Sequence, residues 1–334
     1  MKILILGGTA WLGNTVAKTA AAAGHEVTCL ARGTAVPDGV RLIRADRDDD
    51  AGLAPVAGEP WDAVVDVARQ PIHVTRSVRD LAPAGRYIFV STGNVYASQA
   101  EIGADEHAAL LAPLEADVMS GPEDYGPAKV ACEKAVLAGF GDNAVIVRSG
   151  LIAGPGDDTG RTTYWVRRFA RPSGPSSAVL VPQTNLLTSC IDVRDLADWL
   201  IRLAEAGPGG IFNAMGDPVP FAEHIAAART VAGHTGPVIQ APEEWLAQQG
   251  IREWAGERSL PLWLRDRNWY GMHARSNKRA AAAGLKLRPL HDTLADILAE
   301  EPPLDPEVLL AGLNDADEQA LLALLDNSPK DHRG

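Results

Sequence analysis

Apolar residues in the first half of the chain fall in short unbroken runs, separated by stretches with helical spacing. Lys2 to Leu6 is one such run, and Glu26 to Ala31, Val40 to Ala45, Ala63 to Val67, Arg86 to Ser91 and Ala144 to Arg148 are others. Between them the pattern predicts helices over Asn14 to Ala23, ended by Gly24, over Val74 to Leu81 and over Glu123 to Ala138. Strands of about five residues, apolar on both faces and alternating with helices, predict a doubly wound α/β fold with a parallel sheet covered on both sides.

The texture changes beyond about Gly154. Prolines and glycines become frequent and most of the tryptophans appear, at Trp165, Trp199, Trp245, Trp254, Trp263 and Trp269. Residues 1–155 are expected to form the sheet domain, with 190–204 returning to it as a strand end running into a helix. Residues 156–300 are expected to be a smaller mixed segment that closes over the carboxyl edge of the sheet, where such folds bind ligands. The tail, 301–334, carries two short amphipathic patterns, DPEVLLAGL and DEQALLALL, and is expected to be a helical appendage that packs or pairs two copies.

Strand one runs into Gly7-Gly8-Thr9-Ala10-Trp11-Leu12-Gly13 and then at once into a helix. Small residues at 7, 10 and 13 let the turn pass beneath a pyrophosphate, and the helix start offers N–H groups and a positive dipole end to it. Glycine in a βα turn is weak by itself; its place after the first strand and before the first helix points to a dinucleotide. Strand two ends in Ala31 and Arg32, with no acid about 20 residues past the loop to bond a ribose 2′-hydroxyl. A carboxylate there would repel a 2′-phosphate, whereas Arg32 can pair with one, so NADP(H) is expected over NAD(H).

Tyr125-Gly126-Pro127-Ala128-Lys129 opens the long helix. Residues four apart share a helical face, so phenol and ammonium can reach one place. A phenol is a poor acid or base near neutrality unless a cation beside it favours the phenolate. Phe89 to Tyr96 adds a buried strand ending in hydroxyl residues at the carboxyl edge, where Thr92 could hold a substrate oxygen. The bland alternative for Thr92 is a hydroxyl that satisfies a turn.

Together these motifs resemble the extended short-chain dehydrogenase/reductases. Gly7 to Gly13, S-T-G-N-V-Y at 91–96, Y-G-P-A-K at 125–129 and I-D-V-R-D-L-A at 191–197 occur in that family's order and spacing. Arg148 to Pro155, and Ser276 to Ala280 before Gly284, also resemble it, so the likeness spans about residues 1–300. It is closest to the NAD-dependent epimerase/dehydratase-like reductases. The resemblance implies a Rossmann fold, with Tyr125 as acid/base, Lys129 on the nicotinamide ribose and Thr92 positioning substrate. It also implies Asp46, followed by Arg47, near the adenine, and Ala68 beside the cofactor. Gly93 and Asn94 stand where the sugar-nucleotide dehydratases carry an acidic pair, so elimination of water lacks a general acid and base here.

Composition narrows the partners. The 334 residues carry a net charge of −12, which argues against nucleic acid. A mean hydropathy of −0.06 and the lack of a long apolar run exclude a membrane-spanning chain of helices. The N-terminal apolar run is too short for a signal peptide, and Cys29, Cys132 and Cys190 are too few and too scattered for a disulfide framework, so a cytoplasmic setting is expected. No histidine pair has metal-ligand spacing, and no metal is expected. Arg161, Arg167, Arg168 and Arg171 lie beside Tyr164 and Trp165, readable equally as an anion site or as a solvated helix face. Thr92, Asn94, Tyr164 and Trp165 are therefore the candidates to touch substrate. The function expected is NADP(H)-dependent hydride transfer at a carbonyl/hydroxyl carbon of a small molecule. A sugar-nucleotide epimerase with tightly held NAD(P), and a non-catalytic cofactor sensor, are the rivals.

Overall fold

A computed structural model describes residues 1–300 and 311–327. They divide into two units, the first made of 1–152, 191–217 and 271–287, the second of 153–190, 218–270, 288–300 and 311–327.

The first unit is built on β1 (Lys2–Leu6), α1 (Trp11–Ala22), β2 (Glu26–Ala31), β3 (Arg41–Arg44), α2 (Ala54–Ala57), β4 (Ala63–Asp66), α3 (Pro71–Asp80), β5 (Tyr87–Thr92), α4 (Tyr125–Phe140) and β6 (Ala144–Ser149). A strand at Gly210–Ala214 completes a seven-stranded sheet, ordered Gly210–Ala214, β6, β5, β4, β1, β2, β3. Every pairing is parallel. Successive side chains of a strand point to opposite faces, and both faces here are apolar. Ile3, Ile5, Val65, Ile88 and Val147 pack on one face with α1 and the helix Val193–Ala206. Leu4, Leu6, Val64, Phe89 and Ile146 pack on the other with α3 and α4. At about 1.5–3 kcal/mol per fully buried aliphatic side chain, this double burial holds the central strands. The chain leaves β1 toward β2 and β3, then returns to lay β4 on the other side of β1. That reversal opens a crevice past the carboxyl ends of β1 and β4, the usual ligand position in such sheets.

Some elements lie differently from the sequence expectation. Helix α1 starts at Trp11 rather than Asn14, so the glycine loop feeds it directly. Helix α4 starts at Tyr125, after a single 3-10 turn at Pro122–Asp124. Gly210–Ala214 and residues 271–287, read as part of the second segment, belong to the first unit.

In the second unit, strand Val179–Gln183 pairs in parallel with Val238–Pro242. Its core holds Trp165 and Trp263, both fully buried, with their indole N–H groups bonded to Pro261 O at 2.9 Å and Glu243 Oε1 at 2.7 Å. The second tail pattern forms the helix Asp315–Asp326. It is fastened by Arg168, which pairs with Asp315 at 2.6 Å and with buried Glu318 at 3.3 Å. Most of the first tail pattern, 305–310, lies outside the described residues.

Candidate active site

The glycine loop is packed so tightly that three of its residues admit no side chain. A Cβ on Gly7, whose φ is +96°, would stand 2.7 Å from Val67 Cγ2. On Gly8 it would meet Cys29 Sγ at 2.3 Å, and on Gly13 the Gly7 carbonyl oxygen at 2.3 Å. The loop therefore lies flat between β1, β2 and the start of α1. The first turn of α1 has no side-chain cap at Ala10 and no acidic residue. Backbone N–H groups at a helix start with no side-chain cap and no acid suit an anion, and a pyrophosphate fits that description. Thr9, Ala10, Trp11 and Leu12 are exposed or half-buried along this rim. A Cβ on Gly33 would meet Thr9 Oγ1 at 2.5 Å, so the end of β2, with Arg32, abuts the loop.

Lys129 is buried, and its Nζ donates to Ala68 O and Val90 O, each at 2.6 Å. The ammonium also lies 4.5 Å from the Phe89 ring centroid. These contacts put it across β4 and β5, beside the crevice. Half-buried Tyr125, one turn earlier, begins α4. Gly126 sets how closely that end of the helix approaches β5, because a Cβ there would lie 2.5 Å from Asn94 O and 2.7 Å from Leu111 Cδ1. Thr92 ends β5, and its Oγ1 accepts the Asn94 N–H at 3.3 Å. The turn-satisfying role weighed for it is thus real, and it leaves the hydroxyl hydrogen to donate elsewhere. The Asn94 side chain is exposed. Tyr125, Lys129, Thr92, Ala68 and the glycine loop all gather at the carboxyl ends of β1, β4 and β5.

Other candidates lie elsewhere. Arg47 does not face an adenine: its guanidinium is turned inward, 3.0 Å from both carboxylate oxygens of fully buried Asp66. Tyr164 and Trp165 are not at a substrate surface but in the core of the second unit, 4% and 0% exposed, with rings in edge contact. Large apolar faces beside arginines look like a pocket in sequence; here burial takes the rings, and Arg168 is taken by the acids of the last helix. Arg32 is exposed at the end of β2, 3.7 Å from Asp46 and 3.6 Å from Asp48. Cys132 is buried, and burial pushes its thiol up to about 12, which makes it a poor nucleophile.

Two buried networks escaped the sequence reading. In one, Asp66 accepts from Arg47, from the Tyr87 hydroxyl at 2.7 Å and from the Ala68 N–H at 2.9 Å. In the other, Glu133 on α4 takes Arg148 at 2.7 Å and the Ser91 hydroxyl at 2.5 Å, while the Tyr96 hydroxyl joins Arg148 to Asn213. The first starts at Asp66, the last residue of β4, and the second meets β5 at Ser91, next to Thr92.

Residues 3–84 and 72–214 match the NAD dependent epimerase/dehydratase family. A 2′-dehydrokanamycin reductase of Streptomyces kanamyceticus is 26% identical over 261 residues, covering 75% of this chain and 72% of that protein. The fold is shared with the UDP-N-acetylglucosamine 4-epimerase of Bacillus cereus (TM-score 0.64, 17% identity, 90% of this chain and 99% of that one). It is shared too with the RMD protein of Pseudomonas aeruginosa, solved with NADPH (TM-score 0.59, 19% identity, 90% and 98%). The chain belongs to the NAD dependent epimerase/dehydratase family, and is an enzyme of the nicotinamide-dependent oxidoreductase type.

Proposed function

We propose that the protein is an NADP(H)-dependent reductase of a small carbonyl compound, with Tyr125 as the acid/base. The observation that carries this reading is the placement of Lys129: one helical turn from Tyr125, its ammonium is fixed on Ala68 O and Val90 O beside the crevice at the end of β4. The uncapped start of α1 would hold the cofactor pyrophosphate, Lys129 a ribose hydroxyl, and Arg32 the 2′-phosphate. The nicotinamide supplies or takes the hydride when bound. Tyr125 gives the proton to the substrate oxygen as the carbonyl becomes an alcohol, or removes it in the reverse direction. Thr92, whose oxygen already accepts from Asn94, donates its hydroxyl hydrogen to the same substrate oxygen and holds it toward Tyr125.

The named reductase among the relatives supports reduction over epimerisation, and Gly93 and Asn94 offer no carboxyl pair for dehydration. Tyr125→Phe tests the assignment. Loss of the proton donor should lower turnover by at least about a hundredfold, while cofactor affinity stays near the wild-type value. Substantial turnover in that variant would sink the role. Cofactor released on dilution is expected of the reductase; a redox-neutral cofactor retained through purification would favour an epimerase instead.

A further inference from the structure

Two guanidinium groups flank the Tyr96 ring, with Arg148 at 4.9 Å and Arg275 at 3.9 Å from its centroid. Both are buried, and they are treated differently. Arg148 is neutralised by Glu133. Arg275, 3% exposed, spends only its Nη2, on Ser98 O at 2.7 Å and Gln99 Oε1 at 2.8 Å. Its Nε and Nη1 have no hydrogen-bond partner, and the Glu101 carboxylate acts on the group only from a distance, without contact. Arginine cannot shed its charge. A buried guanidinium without a contacting counter-ion is costly unless something else supplies negative charge at hydrogen-bond distance.

Arg275 Nε lies 3.9 Å from where a Cβ on Gly93 would stand, and Gly93 follows Thr92 directly. The 93–99 turn is built around the guanidinium: Gln99 bonds Gly93 O and Tyr96 O with its amide N–H while accepting from Arg275. Ring stacking and two hydrogen bonds therefore hold the arginine in one orientation before any ligand arrives, the preorganisation that favours binding.

We infer that Arg275 receives an oxyanion of the substrate, so that the carbonyl compound turned over here carries a carboxylate or a phosphate beside its reacting carbon. This rests on the proposed reductase reading only for the word carbonyl; the anion site itself needs neither cofactor nor turnover.

The test is a titration of the full chain with sodium acetate and, separately, inorganic phosphate, followed by thermal melting and calorimetry, with acetamide as the neutral control. Wild-type protein should show saturable stabilisation by at least one anion and none by acetamide. Arg275→Met should weaken that response by at least about tenfold, as expected for loss of a charged hydrogen bond. Methionine replaces an unpaired buried charge by an apolar chain of similar length, so the variant should fold with an anion-free melting temperature no lower than wild type. Response to acetate alone assigns a carboxylate, and response to phosphate alone a phosphate. A phosphate response undiminished in Arg275→Met belongs to the glycine loop and overturns the inference, as does the absence of any saturable response in wild type. A protein that binds the anion through Arg275 and reduces nothing would overturn the proposed function alone. Carbonyl reduction with equal kcat/KM in wild type and Arg275→Met would overturn this inference alone.

Discussion

Asp66 and Lys129 are tied to the same residue of the main chain. Asp66 Oδ1 accepts the Ala68 N–H at 2.9 Å, and Lys129 Nζ donates to the Ala68 carbonyl at 2.6 Å. The carboxylate therefore fixes the loop that fixes the ammonium. Asp66 is fully buried with Arg47 as its counter-ion, so Asp66→Asn strands a largely buried guanidinium. That should cost about 3–5 kcal/mol of stability in urea melts, the scale for breaking one side of a buried pair. Cofactor affinity should fall as well, through the freed Ala68 loop. Asp66→Asn with wild-type affinity would show that Lys129 is held well enough by Val90 O alone.

Gly126 is the second fixed point. A methyl at this position must push α4 away from the Asn94 carbonyl, since the nearest atom is a backbone oxygen that cannot rotate aside. Gly126→Ala is expected to separate Tyr125 from Thr92 and lower kcat by about tenfold or more, because misplacement of reacting groups by about 1 Å is that costly. The alanine favours the helix by about 1 kcal/mol in isolation, so a loss of activity cannot be assigned to a weaker helix. Unchanged kcat would show that the approach of α4 to β5 is not set at this glycine.

Much of this arrangement was legible in sequence. Short doubly apolar runs such as Lys2 to Leu6 and Ala144 to Arg148, alternating with helical spacing, read as strands covered on both faces, and the glycine loop and the Tyr125–Lys129 spacing are plain in the sequence. Long-range pairing was not legible. Arg47 finds Asp66 19 residues on, and Arg148 finds Glu133 15 residues back, on different elements whose neighbourhood only the sheet order creates. The strand Gly210–Ala214 hid among glycines and prolines, and its inward Asn213 looks polar until Tyr96, Glu106 and Ser276 are seen to satisfy it. Arg275 carried no signal either. Its meaning comes from what fails to surround it.

The buried thiols predict an alkaline limit. Burial pushes Cys29 and Cys132 from 9.0 up to about 12. Below pH 9 the thiols are protonated in both folded and unfolded chains, and their contribution to stability is constant. Between pH 9 and about 12 the unfolded chain ionises them while the folded chain does not, so stability falls as pH rises through that window. Cys132→Ala should flatten the fall in melting temperature across it, whatever the cost of the small cavity. In native protein at mildly alkaline pH both thiols should resist maleimide; rapid labelling of either would contradict their burial.

Under the proposed function, Arg32 is expected to set the choice of cofactor. Its side chain is 71% exposed, and the guanidinium pairs loosely with Asp46 at 3.7 Å and Asp48 at 3.6 Å. Exposed pairs of that kind contribute about 0–1 kcal/mol, so Arg32 can turn to a 2′-phosphate at little cost. Charge-assisted bonds to the phosphate return about 1.5–3 kcal/mol. The two carboxylates act against this, since they repel the same phosphate. Asp48 is held as an anion by the hydrogen bond from His73, which draws its carboxyl below the usual range. The expected balance is a preference for NADP(H) of about tenfold. Arg32→Ala should erase that preference, and Asp48→Asn should widen it by removing one repelling charge. Calorimetry with NADPH and NADH at matched salt measures both. Tighter NADH than NADPH binding by the wild-type protein would mean that Asp46 and Asp48, not Arg32, set the choice.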